Sequence, residues 1–182
     1  SAKEIFPVIF PLHSEMLKSG FRCGRQGLLQ AIGLLFGRAG LSVSGLNVVI
    51  APHPDDEVLG CGGLIAKAVA AGQSVKVVIL TGGGAAHNGC CAAGERLVEE
   101  RRRELAREAL KYLGLSAEHI VFLDWQDGKL PRQQDADFAA NANELASLLV
   151  RFNPSAVFCP HPFEGWSDHI AAQEMTRAAL VQ

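Results

Sequence analysis

The sequence lacks three features that would each place it in a broad class of proteins. It has no run of about 20 apolar residues, the length that a membrane-spanning helix needs, so we expect no stable membrane insertion. Its net charge of −2 gives no broad positive field, which argues against nucleic acid as a partner. None of its five cysteines forms a CxxC pair and their number is odd, which favours a reducing cytoplasm over a disulfide framework. We also find no secretory signal pattern in residues 1–18.

Short apolar segments alternate with helical patterns from residue 46 onward. Such alternation predicts βαβ units and therefore an α/β fold. We expect a Rossmann-like, doubly wound and mostly parallel sheet of strand order 3-2-1-4, with helices on both faces. The predicted strands are 47–51, 75–81, 120–125 and 156–159, and the predicted helices are 57–71, 94–113, 135–152 and about 167 to the end.

Residues 1–45 are predicted to be a partly helical N-terminal extension to a domain of residues 46–182. Their first apolar stretch is interrupted by Pro7 and Pro11, which argues against one long regular element. The extension would pack on the domain or on a neighbouring subunit, so homo-oligomer formation stays open.

The ionisable residues of interest follow the predicted strands. In open α/β sheets, ligands bind beyond the carboxyl ends of the strands. If the first and fourth strands are neighbours, His53 and Asp56 face the segment that contains His161 and His169. Two histidines and a carboxylate, with one position left for water, form the ligand set of a catalytic zinc site. Asp55 would project differently and be free to act on that water, although either aspartate could instead cap the following helix.

Five short blocks between about residues 46 and 181 match the motifs of one known family, in the same order along the chain. The matching residues are Pro52-His53-Pro54-Asp55-Asp56-Glu57 with Leu59-Gly60-Cys61-Gly62-Gly63, then Leu80-Thr81-Gly82-Gly83-Gly84, then Arg101 and Glu104 with Leu113-Gly114, then Phe122-Leu123-Asp124-Trp125-Gln126-Asp127-Gly128, and last Asp168-His169-Ile170-Ala171-Ala172. Together they closely resemble the signature of the LmbE/PIG-L-like N-deacetylases. These are zinc enzymes that remove the acetyl group from N-acetylglucosamine-type substrates. The first block is the most specific.

The resemblance implies a division of roles within the polar loops. His53, Asp56 and His169 would hold one Zn²⁺ per chain, and Asp55 would be the general base. The substrate would be an N-acetylated amino sugar, free or within a glycan.

Two further residues match positions that contact substrate in the family. Arg101 matches an arginine that reaches the substrate, or it is one more charge on a charged helix. Asp127 would hydrogen-bond sugar hydroxyls, or it starts a turn with Gly128.

The sequence departs from the family pattern near the last block. Many members have a histidine three residues before the last metal ligand, where this chain has Trp166. His161 could supply that catalytic function from the same loop, and Trp166 could stack on a sugar. Their alternatives are a turn histidine and a packed tryptophan. We also expect that the domain lacks the C-terminal strands usual in the family.

Three alternative functions stay open at this point. The chain could be a non-catalytic metal- or sugar-binding domain of Rossmann-like fold, although the intact Asp55 argues against this. It could be an amidase that acts on a related amide conjugate. A nucleotide-binding role for the segment 81–84 is weakly indicated, since the segment is not a GxGxxG motif and follows the second strand.

Overall fold

A computed structural model describes residues 44–87 and 94–181 of the chain. Four strands and four α-helices alternate along the described residues, with short 3₁₀ turns at Gly84–His87 and Ala117–His119. In chain order the elements are β1 (Asn47–Ala51), α1 (Asp56–Ala70), β2 (Val75–Thr81), α2 (Glu95–Tyr112), β3 (Ile120–Trp125), α3 (Phe138–Phe152), β4 (Ala156–Phe158) and α4 (Ser167–Val181).

The four strands form one sheet in the order β3-β2-β1-β4, and all three neighbouring pairs are parallel. The predicted α/β class and strand order 3-2-1-4 are confirmed. Because β1 and β4 are neighbours, the loops that follow them meet at one end of the sheet. This neighbourhood is what brings the two halves of the candidate site together.

Helices cover both faces of the sheet, as predicted. All five residues of β1 are buried, as expected for a central strand covered on both sides. Because successive strand residues point to opposite faces, Val48 and Ile50 pack in one core cluster while Val49 and Ala51 pack in the other. The first cluster includes residues of α3 and α4, and the second includes residues of α1 and α2.

The predicted element boundaries differ from the observed ones in small ways. The last strand ends at Phe158, one residue earlier than predicted. The third helix begins at Phe138 and not at residue 135, because Asp135 instead closes a turn by accepting the backbone N–H of Arg132 at 2.7 Å. The predicted N-terminal extension lies outside the described residues, apart from Ser44 and Gly45. Within the described ranges, no helix combines the length and apolar character needed to cross a bilayer.

Candidate metal centre

The turn between β1 and α1 has an unusual backbone at Asp55. Its φ of 141° is an angle that L-residues rarely adopt. The backbone N–H of Asp55 donates to Oε2 of the fully buried Glu57 at 3.0 Å. The backbone carbonyl of Asp55 accepts from Val58 and Leu59, so the start of α1 is capped by the backbone. Within the described residues, the Asp55 carboxylate makes no capping hydrogen bond to α1, which argues against the helix-cap interpretation.

Asp56 brings together two histidines from opposite ends of the domain. Its Oδ2 lies 3.1 Å from Nδ1 of His53 and 3.3 Å from Nε2 of His169. Tetrahedral zinc with bonds of 2.0–2.2 Å has ligand atoms about 3.3–3.5 Å apart, so the separation to His169 matches an edge of such a site and the separation to His53 is slightly shorter. The three side chains are close enough together to hold one metal ion. The neutral imidazole and carboxylate donors also suit zinc.

The other nitrogen of His53 faces two more carboxylates. Its Nε2 lies 3.1 Å from Oδ1 of Asp127 and 3.2 Å from Oδ2 of Asp168. This second group is also compact enough to hold an ion. However, Asp168 is only 3% exposed and accepts the backbone N–H groups of Gly128 and Leu130. A buried carboxylate with these partners suits the orientation of a metal-binding imidazole better than it suits an open metal site.

The electrostatics of the cluster favour a cation. Burial lowers the pKa of His53, but hydrogen bonds to Asp127, Asp168 and Asp56 outweigh it and raise the pKa to about 11. Burial raises the pKa of Asp56, whereas its hydrogen bonds to His169 and His53 bring the pKa well below its usual range. The carboxylates therefore stabilise positive charge at the imidazoles, which is the sign of charge that a divalent ion brings.

The His53–Asp56–His169 group opens into a cleft of about 480 Å³ at the carboxyl ends of the strands. Its position agrees with the general placement of ligand sites in open α/β sheets. The cleft is lined by His53, Asp55, Asp56, Ala85, Ala86, Arg102, Asp127, Gly128, Trp166, Ser167, Asp168 and His169.

Comparison with known proteins decides the family. The model of the family described as "PIG-L: GlcNAc-PI de-N-acetylase" matches residues 48–180. The chain belongs to the PIG-L family.

Two relatives of this PIG-L domain are deacetylases by name. This chain is 33% identical over 147 residues to the 1D-myo-inositol 2-acetamido-2-deoxy-alpha-D-glucopyranoside deacetylase of Mycobacterium sp. (strain KMS). The match covers 70% of this chain and 47% of the relative. The chain is 27% identical to the N,N'-diacetylchitobiose deacetylase of Pyrococcus horikoshii, with a TM-score of 0.66 and coverage of 75% and 49%. The chain therefore spans about half the length of these relatives.

A third similar structure has a different name. The 4-carboxy-2-hydroxymuconate hydratase GalB of Pseudomonas putida KT2440 is also 27% identical, with a TM-score of 0.62 and coverage of 75% of this chain and 56% of the other.

The arginine that reaches the cleft of this PIG-L domain is Arg102, one position after the predicted Arg101. Arg101 is 61% exposed and pairs with Glu104 at 3.0 Å on the outer face of α2. Arg102 is 18% exposed and donates to the backbone carbonyls of Gly83 and Pro54, at 2.9 and 3.0 Å. It also donates to Oδ1 of Asp55 at 2.9 Å. Adjacent residues of a helix point about 100° apart, so Arg102 faces the cleft while Arg101 pairs with Glu104 on the outer face. The substrate contact of Arg101 stays a prediction.

His161 is likewise placed outside the cleft. Among the described residues that line it, His161 is absent, whereas Trp166 is present. The backbone N–H of His161 donates to Oε1 of Glu164 at 3.0 Å, and its ring contacts Phe163 edge-on. His161 thus lies in a turn closed by Glu164, and its catalytic role stays a prediction.

Three residues of this PIG-L site were missed by the sequence reasoning: Arg102, Glu164 and Asp168. The spacing from Val98 to Arg102 to Ala106 is a weak signal for the first, since residues four apart share a helix face and the two flanking residues are apolar. Asp168 contacts His53 and Glu164 contacts His169, and both contacts depend on how the chain folds. We know of no sequence signal that would have assigned their partners.

Proposed function

We propose that this domain removes the N-acetyl group of an amino-sugar conjugate by zinc-dependent hydrolysis. The observation that carries the proposal is the Asp55 carboxylate in the same cleft as the His53–Asp56–His169 group. Membership of the PIG-L family and the names of the two deacetylase relatives support the same reaction. A domain that only binds metal would have little need for Asp55 in its strained position.

His53, Asp56 and His169 would hold the zinc ion, with the cleft side left for water and substrate. Zinc bound there would lower the pKa of a water molecule to about 7 and polarise the acetyl carbonyl. The two imidazoles and one carboxylate are a known ligand set of catalytic zinc sites.

Asp55 would transfer the protons of the hydrolysis. Hydrolysis forms a bond from the water oxygen to the acetyl carbon and breaks the bond from that carbon to nitrogen. Asp55 would accept a proton from the water and deliver it to the leaving amine, so that acetate and a free amino sugar result. Burial raises the pKa of Asp55, although the nearby Arg102 opposes the shift, and a raised pKa makes the protonated carboxyl easier to form during the reaction.

The walls of the cleft suggest how the sugar is held. Arg102 would keep Asp55 in place and present its remaining N–H groups to substrate hydroxyls. Trp166 lines the cleft with an indole that is half exposed, which suits stacking on a sugar ring. Asp127 already contacts His53 through one oxygen and the backbone N–H of Ala85 through the other. We therefore infer that the main role of Asp127 is to fix the position of His53 and of the backbone at Ala85, and that contact with a sugar hydroxyl is secondary.

A deacetylation screen over N-acetylglucosamine conjugates tests the proposal. The zinc-loaded chain should release free amine and acetate in equal amounts from at least one conjugate. A chelator should stop the release, and added zinc should restore it. The Asp55→Asn variant serves as the control for contaminating activity. Zinc binding without turnover of any conjugate would favour the non-catalytic alternative.

A second candidate, the addition of water to a double bond, is favoured by the likeness to the hydratase. Its identity to this chain equals that of the Pyrococcus deacetylase. Both reactions need a positioned water and a base, but only amide hydrolysis yields acetate. Incubation with 4-carboxy-2-hydroxymuconate, followed by the absorbance of its conjugated system, separates the two.

A further inference from the structure

The imidazole of His169 has a carboxylate beside each of its nitrogens. Nε2 lies 3.3 Å from Oδ2 of Asp56, on the side of the metal group. Nδ1 is hydrogen-bonded to Oε2 of Glu164, on the opposite side. A neutral imidazole carries a single N–H, so a proton donated from Nδ1 to Glu164 leaves the lone pair of Nε2 directed at the metal position. The side chain of His169 is only 14% exposed, which restricts any rotation of the ring.

Glu164 reaches His169 from a turn that its own carboxylate stabilises. Its Oε1 accepts the backbone N–H of His161 at 3.0 Å. Its backbone N–H donates to the carbonyl of His161 at 3.1 Å. These two bonds fix the turn at 161–164, so the second carboxylate oxygen meets Nδ1 of His169 from an anchored position.

We propose that Glu164 is a positioning residue of the metal centre, which keeps the proton of His169 on Nδ1 and orients the ring so that Nε2 binds the ion. This inference depends on the zinc site of the proposed function. Carboxylates that accept the far N–H of a metal-bound histidine raise its basicity and fix its orientation, and their loss typically weakens metal binding by about 10–100-fold.

The arrangement around the other histidine supports this role. The far nitrogen of His53, Nε2, faces Asp168 at 3.2 Å, so both candidate ligands have a carboxylate behind them. Asp168 also anchors two backbone N–H groups and is buried, so its replacement would disturb the loop after β3 as well. The side chain of Glu164 is 36% exposed, which makes it the residue at which positioning can be tested with less structural damage.

The test compares zinc affinity among variants, measured by competition with a chelator of known affinity. Glu164→Ala should weaken zinc binding by about 10–100-fold. Glu164→Gln should keep part of the affinity, since its amide oxygen can still accept from Nδ1, although its NH2 group can no longer accept the backbone N–H of His161. The matched control is Glu144→Ala on α3, which removes the acceptor of the indole N–H of Trp125 and should change zinc affinity less than about twofold.

A spectroscopic measurement on the unaltered chain keeps the proposal testable even if Glu164→Ala does not fold. In the zinc-loaded protein, ¹⁵N NMR of the histidine rings should show His169 bound through Nε2, with a downfield proton on Nδ1. Binding through Nδ1, or wild-type affinity in Glu164→Ala with an unchanged Nδ1 proton, would overturn the proposal. A wild-type chain that binds no zinc would instead overturn the proposed function, and this inference with it.

Discussion

Replacing Arg102 with alanine should lower both the stability and the deacetylation rate of the domain far more than the same change at Arg101. The two residues are adjacent on α2 and carry the same charge. Arg102 donates three hydrogen bonds within the cleft, to Gly83, Pro54 and Asp55. Arg101 makes one pair with Glu104 on the exposed face. The comparison therefore separates the effect of hydrogen bonds to Asp55, the proposed general base, from the effect of surface charge.

The expected magnitudes follow from these contacts. A hydrogen bond to a charged group contributes about 1.5–3 kcal/mol when it is well shielded. In the Arg102→Ala variant, water in the open cleft would replace some of the lost hydrogen bonds. We therefore expect this variant to lower the free energy of unfolding by about 1–3 kcal/mol. Exposed ion pairs contribute about 0–1 kcal/mol, so Arg101→Ala should change it by less than about 0.5 kcal/mol. Misplacement of a catalytic group by about 1 Å can cost about 10²-fold in rate, and we expect a loss of that order for Arg102→Ala.

Urea unfolding and the deacetylation assay measure the two effects separately. Arg102→Lys is an informative companion, because lysine keeps the charge but cannot reach three acceptors with a planar fork. The variant should regain part of the stability and little of the rate. Full activity in Arg102→Ala, or a large loss in Arg101→Ala, would refute the assignment of roles on α2.

Three other changes test separate parts of the structure. Asp55→Asn should keep zinc and lose about 10²–10⁴-fold in kcat/KM, as expected for loss of a general base, and a parallel loss of bound zinc would contradict that role. Gly83→Ala should lower the free energy of unfolding, measured with urea, by about 1–3 kcal/mol, since Gly83 has a φ of 68° and a Cβ there would lie 2.1 Å from Nη1 of Arg102. An unchanged free energy would argue against this contact. The hydrogen bond from Arg132 lowers the pKa of Glu174, so the pair contributes stability above the unfolded pKa of about 4.3 and loses it as the pH falls through the folded pKa. The difference in unfolding free energy between wild type and Glu174→Gln should therefore shrink between pH 6 and pH 3, and a constant difference would contradict the ion pair.

The strands could be predicted from the sequence because burial determines their composition. β1 and β2 are covered by helices on both faces, so they appear as short, mostly apolar runs rich in β-branched residues. The turn after β1 was equally readable, since an imidazole and carboxylates rarely crowd the end of a core strand without a ligand. The neighbourhood of β1 and β4 then followed from the topology of doubly wound sheets.

The inward face of α2 was harder to predict. Leu105 is a large apolar residue that a helical pattern would place in the inward stripe, yet it is exposed and the buried row runs through Val98, Ala106 and Leu110. Arg102 occupies the same row, with its charged end at the cleft. The row at this point consists of a small alanine and an arginine, which a pattern of large apolar residues does not reveal.

The partners of the histidines could not be predicted, because they depend on pairing over long sequence distances. His53 and Asp168 are separated by 115 positions, and their contact exists only once β4 lies beside β1. Spacing along the sequence carries no information about which oxygen faces which nitrogen.

The backbone at Asp55 has a consequence for how such a domain evolves. Its φ of 141° suits glycine better than aspartate, and such strain costs on the order of 1–3 kcal/mol. Selection for folding alone would therefore favour glycine at this position, and that substitution would remove the carboxylate. An aspartate that persists there in a lineage, against its own conformational preference, would be a sign that turnover is still being selected.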